Sequence, residues 1–288
     1  MIVADVLRDL QDNSPPFQPL LNIRVQEYRE KVINWNGVGI KKGALCYQFR
    51  SSRDPELCQI RILPDACLNV LIECGGQDPD ALFSGAFFEP KTLTVKPDTE
   101  YFGFKPYSNL GLKCERFKLS ELADSAVSFR EAYPVAEELL AQMRATGDFD
   151  ERIRLFCAFA DRHMTDHAYD PTFIDYFTVM ICSSRGNVLF NNMRQVTGYS
   201  ERYCRERFKE MHGCSPKQYS GVMRFQSVLK DLLKEKEVGV SSLVFNNGYF
   251  DQAHLIRDFK RFAMMPPNRF RRTFHSARTA HASASTLS

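Results

Sequence analysis

Short alternating runs of apolar residues fill the first part of the chain, and runs with helical spacing fill the rest. Ala44 to Phe49 alternates loosely, Cys58 to Leu63 leads into a turn at Pro64-Asp65, and Cys67 to Cys74 is an apolar run closed by Gly75-Gly76. Leu82 to Phe88, Thr92 to Val95 and Tyr101 to Phe104 continue the series, separated by Pro and Gly. Runs of this length and punctuation predict strands, and several of them in succession predict a small barrel or sandwich. Past residue 130 the period changes. Val135, Leu139, Leu140 and Met143 fall on one helical face. Asp148 or Asp150 is placed to cap a second helix carrying Ile153, Phe156, Phe159 and Met164, and Asp170-Pro171 opens a third with Phe173, Ile174, Phe177 and Ile181. Pro216 to Lys234 reads as one long helix with Tyr219, Phe225, Leu229 and Leu233 inward. The expected class is α+β. A β-rich, barrel-like domain spans 1–130, a helical linker suited to dimerisation 131–185, an all-α domain 186–275, and a Ser/Ala/Thr-rich tail expected to lack order 276–288. Ser183-Ser184-Arg185-Gly186 is the expected link into the all-α domain.

Within that last domain one pattern occurs twice. Gly198-Tyr199-Ser200, Tyr203-Cys204 and Phe208-Lys209 are repeated as Gly248-Tyr249-Phe250-Asp251, His254-Leu255 and Phe259-Lys260. From the cap onward the copies align without a gap: Ser200 with Asp251, Cys204 with Leu255, Phe208 with Phe259. Gly supplies a sharp turn with φ > 0 between two helices. Ser200 or Asp251 then accepts hydrogen bonds from the free N–H groups of the next helix, and the apolar pair at cap+4 and cap+8 holds that helix inward. Glu201, Arg202, Arg205 and Lys209 remain outward in the first copy, and Gln252, Ala253, Ile256, Arg257 and Lys260 in the second. A helix presented in this way fits the major groove of DNA, where Arg and Gln read base edges. One such motif is also an ordinary helical corner, whereas a duplicate in register is far more specific.

At these residues the chain resembles the AraC/XylS family of bacterial transcriptional regulators, over 187–272. The similarity includes the stretch from Gly213 to Tyr219 after the first unit, the run from Gly248 to Lys260, and the closing Pro267, Phe270 and Arg271. The resemblance implies two helix-turn-helix units joined by a long helix, with Ser200, Glu201, Arg202, Arg205, Glu206, Lys209, Asp251, Gln252, Ala253, His254, Ile256, Arg257 and Lys260 as the DNA-binding positions. Three residues depart from the family pattern: Glu206 stands where Arg is usual, Arg194 where a small residue is usual, and Met264 where Gly with φ > 0 is usual. Ile62-Leu63-Pro64-Asp65 followed by Val70-Leu71-Ile72 resembles, more weakly, the N-terminal sensor domains of some members of the family.

Charge is segregated in the same way. Residues 187–278 carry 17 Lys+Arg against 8 Asp+Glu, and the remainder 21 against 27, out of 38 and 35 in the whole chain. One part is suited to a polyanion and the other is not. The nine cysteines form no C-x-x-C pair and sit mostly in apolar runs, which fits a reducing cytoplasm. The first residues, Met1 to Asp9, contain no signal-peptide core, and no apolar run reaches membrane-spanning length.

Candidate chemistry elsewhere is sparse. No histidine precedes His163, so a β-barrel that works through a His-ligated metal is not expected, and His163 with His167 reads as a surface pair. The aromatic residues Phe83, Phe87, Tyr101 and Phe104, with Trp35 on a Gly-flanked loop, are candidates for an apolar effector pocket. The alternative for them is barrel core. Cys114, between Lys113 and Arg116, and Cys204, beside Arg205, are the candidates for a redox switch, with Cys204 at an inert core position. The expected function is a cytoplasmic, sequence-specific regulator of promoters with no cofactor and no enzymatic activity. Its partners would be double-stranded promoter DNA, RNA polymerase, a small-molecule effector and a second copy of the chain, with no membrane. The alternatives are an interaction adaptor, or an enzyme with a borrowed DNA-binding module.

Overall fold

The computed structural model describes residues 18, 25–37, 40–75, 80–188, 197–234 and 239–285. Its first half is an antiparallel sheet of six strands in the order β1-β2-β7-β4-β5-β8, faced by a two-stranded ribbon, β3-β6. The strands are β1 (Gln26–Gly37), β2 (Ile40–Arg50), β3 (Gln59–Ile62), β4 (Asn69–Glu73), β5 (Ala81–Ser84), β6 (Lys91–Thr94), β7 (Glu100–Pro106) and β8 (Ala126–Ser128). Two of these, β1 and β8, had no counterpart in the hydrophobic pattern. Residues 27–31 of β1 read Glu-Tyr-Arg-Glu-Lys, mostly exposed, because as an edge strand it has only β2 as a ladder partner. Trp35 therefore lies in a strand rather than a loop; its side chain falls outside the described residues.

Alternation along the inner strands sorts residues to two cores. Ala44 and Cys46 of β2 and Phe102 and Phe104 of β7 face a cluster shared with α1 (Phe129–Ala132), α2 (Glu137–Ala145) and α3 (Phe149–Phe159). Leu45, Tyr47 and Phe49 face the other way, onto a cluster with Ile60 and Val95 from the ribbon side. Asp148 caps α3, its side chain accepting from Glu151 N–H at 2.7 Å. The fully buried Arg152 fastens α3 to the sheet. Its guanidinium donates to Met143 O at 3.1 Å and Gln48 Oε1 at 2.7 Å, and pairs with Glu100 Oε2 at 2.8 Å. Val135, expected inward, is 50% exposed because it precedes α2 in a short 3₁₀ turn. Phe159 is followed by a single π-helical turn, Ala160–Met164, that buries Met164.

The remaining helices are α4 (Phe173–Ser183), α5 (Glu201–His212), α6 (Pro216–Lys234), α7 (Val240–Asn246), α8 (Gln252–Ala263) and α9 (Pro267–Ser285). α4 begins at Phe173, two residues after the expected Pro171. Thr172 forms a reciprocal capping box with Asp175, which satisfies two free N–H groups at once and so outcompetes an Asp170 cap. On α6 it is Leu232 that is buried and Leu233 that is half-buried. The backbone of α9 stays helical to Ser285, through the stretch whose composition suggested no order. Among the described residues no helix is long and apolar enough to cross a membrane.

The helices after α3 form a third core, and α4 belongs to it: Ile174, Phe177 and Ile181 pack with Phe208, Tyr219, Val222 and Phe225. The sheet half reaches into the same core through two loops, contributing Leu63 and Ala66 from one and Ala86 and Phe88 from the other. Gln226 of α6 donates across this seam to Pro64 O at 2.7 Å in a buried bond, and Arg261 of α8 pairs with Glu89 at 2.5 Å.

Candidate nucleic-acid interface

Each repeated unit presents one capped helix. Tyr203 N–H donates to Ser200 Oγ at 3.3 Å at the start of α5, and His254 N–H donates to Asp251 Oδ1 at 2.7 Å at the start of α8. Cys204 and Phe208 in one helix, and Leu255 and Phe259 in the other, are buried as the alignment requires. Both helices pack against α6, so a single rod sets their relative position. The glycines before the caps both have φ > 0, 74° at Gly198 and 62° at Gly248. At Gly248 a Cβ atom would also lie 2.3 Å from the Asn187 side chain. The positive φ favours glycine at that turn, and the Asn187 amide would have to move for any larger residue.

The outward faces differ. On α5, Arg202 Nε pairs with Glu206 at 3.0 Å, while Arg205 pairs with Glu201 and Arg207 with Glu210. Glu206, the departure from the family pattern, thus engages a cation of its own helix. Lys209 is exposed. On α8, Arg257 and Lys260 are exposed and have no acidic partner among the described residues. Gln252 donates from Nε2 to Ser241 Oγ on α7 at 3.1 Å, which ties one reading group to its own unit. Ala253 is exposed, whereas Ile256 is half-buried against the core, contrary to its expected outward position. It lies three residues from Phe259 on the helix and so edges the apolar stripe. His254 is also half-buried, edge-on to Tyr249 at 5.1 Å and 3.5 Å from Asp258. Both are poorer contact candidates than their spacing implied.

Sequence reasoning passed over the most exposed rings. Phe250, immediately before the Asp251 cap, is 91% exposed, and Phe245 on α7 is 86% exposed. Their equivalent in the first unit behaves differently: Tyr199, just before Ser200, packs on Phe173 and Tyr203 at 5.0 Å from each.

At the first unit's far end, His212 is buried, its ring 4.4 Å from that of Phe208 and tilted 40° to it. Thr178 Oγ1 donates its one proton to Ile174 O at 2.8 Å, so it accepts from His212 Nε2–H at 2.8 Å. Burial lowers the pKa of this imidazole to about 3. α5 ends at Gly213 with φ 72°, and α8 ends at Met264 with φ 59°, the left-handed conformation anticipated for that position.

The aromatic residues chosen as an effector pocket do not converge. Phe83 and Phe104 belong to the core beneath α1–α3, and Tyr101 to the cluster on the opposite face, where its hydroxyl accepts from Lys96 N–H at 2.9 Å. Among the described side chains of that set, only Phe87 lines a cavity of about 370 Å³ in the sheet half. Leu45, Phe49, Leu71 and Leu82 supply its apolar wall. Strand alternation explains the difference: Phe83 and Phe104 point to the helix-covered face of the sheet, and the cavity lies on the other face, among Tyr28, Tyr47 and Phe49. Asp65 and Lys105 form a buried ion pair in the cavity wall. Burial alone would lower the Lys105 pKa, but the adjacent Asp65 carboxylate outweighs it and holds the ammonium above its ordinary value.

His163 and His167 take separate partners, Glu115 at 3.5 Å and Asp161 O at 2.8 Å. Cys204 is buried, and the half-buried Cys114 thiol donates to Ala132 O at 3.5 Å.

Residues 193–273 match a family model described as a helix-turn-helix domain. No curated protein matches the chain. Among solved structures, the chain is similar to the C-terminal domain of AraT, a response regulator from Geobacillus stearothermophilus. That similarity has 19% identity, covers 36% of this chain and 86% of that one, and has a TM-score of 0.33. It is similar to ToxT from Vibrio cholerae at 9% identity, over 85% of this chain and 97% of that one, with a TM-score of 0.42. A wild-type ToxT with bound unsaturated fatty acid gives 10% identity, 85% and 94% coverage, and a TM-score of 0.39.

Proposed function

We propose that this chain, whose C-terminal region is a helix-turn-helix domain of the AraC/XylS type, is a cytoplasmic, sequence-specific regulator of transcription. One observation carries the reading. Two helices, each with a side-chain cap and a buried pair at cap+4 and cap+8, are mounted on one connecting helix, and their outward faces carry cations. α5 and α8 then enter successive stretches of major groove on one side of promoter DNA. Arg257 and Lys260 contact bases or phosphates directly. Arg202 and Arg205 do so after exchanging their carboxylate partners, each exposed pair being worth no more than ~0.5 kcal/mol. RNA polymerase and a second copy of the chain are the protein partners.

The sheet half takes the signal, and its cavity is the site for a small-molecule effector. Asp65 and Phe87, both in the cavity wall, belong to the two loops that pack on the DNA-binding core. Asp124, also in the wall, accepts from Phe88 and Glu89 N–H at 2.8 and 3.0 Å. An occupant that shifts either carboxylate therefore shifts a loop bearing on α6 or α8.

A gel-shift titration with the chain's own upstream DNA tests the central claim. Binding should fall steeply with salt, and Arg257→Ala should weaken it by ~1–3 kcal/mol with an unchanged melting curve. No binding at low salt would refute the reading. An Arg257→Ala protein that melts early, yet binds normally per folded molecule, would move that residue from the DNA face to the fold.

A further inference from the structure

The outward faces of α5 and α8 differ in chemistry at the end that carries the cap. On α8 that end carries Phe250 beside the cap and Ala253 in the first turn, both exposed. Gln252, between them, gives one of its two amide protons to Ser241 Oγ at 3.1 Å. Single exposed apolar side chains are common on protein surfaces. Phe250 is distinguished by position, since the N-terminal end of a recognition helix is the part that reaches base edges. It is also distinguished by contrast with Tyr199, the aromatic residue at the equivalent place, which packs on two other rings and is 49% exposed against 91% for Phe250. Phe250 has no ring neighbour among the described residues. The unpaired cations Arg257 and Lys260 lie about two and three turns further along the same helix and favour a polyanion over an apolar protein surface as the occupant.

We propose that Phe250, with Ala253, recognises thymine 5-methyl groups in the major groove, so that the half-site of the second unit is specified by thymines at fixed steps. The methyl group is the one apolar feature that a base pair displays in that groove, and side chains such as Phe and Ala are suited to it. The proposal rests on the DNA-binding reading above and adds the base that the second unit selects.

The test uses the full chain and a duplex recovered from a random pool by repeated selection on it. Each thymine of the recovered site is replaced in turn by deoxyuridine, which removes the methyl and leaves every hydrogen-bonding group. Wild-type affinity should drop about fourfold at one or two positions, the loss expected for one buried methyl group. F250A should bind the parent duplex more weakly and bind those deoxyuridine duplexes within twofold of the parent, while F250L should retain part of the discrimination. Circular dichroism melting of each variant confirms that it is folded. Deoxyuridine scans that are flat for wild type, or equally marked for wild type and F250A, would overturn the proposal while leaving DNA binding intact. Failure to recover any duplex would instead overturn the DNA-binding reading. Full discrimination by F250A with loss only of transcription activation would assign the ring to a protein partner and reject the proposal.

Discussion

The two helix-turn-helix units share a skeleton and differ in almost everything outside it. Cap, cap+4 and cap+8 superimpose residue for residue, and both helices end in a left-handed residue at cap+13. Those positions are dictated by helix geometry and by contact with α6. Outside them, α5 binds its own arginines with glutamates, and α8 leaves Arg257 and Lys260 unpaired. α8 is also the helix tied to the sheet half by a salt bridge, through Arg261 and Glu89. The two units thus share what positions the helix and differ in what its outward face presents. On the reading proposed above, the second unit has cations free for DNA, whereas the first must break ion pairs to use them.

The shared skeleton can be broken symmetrically. Phe208→Ala and Phe259→Ala each remove a fully buried ring, and each should cost ~3–5 kcal/mol in a denaturant titration. Phe208 contacts Phe177, His212 and Tyr219, and Phe259 contacts Phe225 and Phe270. Each ring therefore anchors its helix to neighbours on either side. A cost below ~1 kcal/mol at one site only would mean that the units are not built alike.

The parts of this architecture that were legible in sequence are those with a short-range cause. Caps, the apolar pair and the two turn glycines follow from φ preferences and from spacing within one helix, while the left-handed residue at position 264 was legible only through the resemblance to the family pattern. Contacts set by distant neighbours were not legible. The period of Ile174, Phe177 and Ile181 showed an apolar face without showing which helix covers it. For that reason α4 read as a linker rather than as part of the DNA-binding core. The cavity was misplaced for a related reason, because alternation assigns residues to two faces but does not say which face has a gap. Phe250 escaped notice because an exposed ring has no periodicity to betray it.

Acid should separate the units. At cap+12 the first has the buried His212 and the second the buried Ala263, which does not titrate. Since the pKa of His212 falls from 6.5 in the unfolded chain to about 3 in the folded one, only the unfolded chain takes up this proton between those values. The contribution is present in full above pH 6.5 and is lost as pH falls toward 3, with a slope approaching ~1.4 kcal/mol per pH unit. His212→Gln keeps a donor for Thr178 and removes the titration. The stability difference between wild type and this variant, measured by denaturant at pH 7, 6, 5 and 4, should shrink in the acid range. Parallel curves would show that the imidazole is charged, or exposed, in the native state.

The smallest expected effect lies one residue further on, at cap+13, where both chains turn left-handed but only one has glycine. At Gly213 a Cβ atom would come within 2.2 Å of Ser120 O, so the sheet half occupies the space and glycine is required there by contact as well as by φ. Met264 takes the same backbone conformation with a side chain that is 64% exposed. A left-handed non-glycine residue costs ~1–2 kcal/mol. Glycine would remove that cost but adds ~0.5–1 kcal/mol of chain entropy to be lost on folding. With little packing to lose at an exposed site, Met264→Gly should stabilise the chain by ~0.5–1 kcal/mol, a rise in melting temperature of a few degrees at most. DNA affinity should not change, since the residue lies at the end of α8 opposite its cap. A neutral or lower melting temperature would mean that the methionine side chain makes a contact strong enough to offset the strain of its own backbone, and that the two helix ends are equivalent in energy as well as in shape.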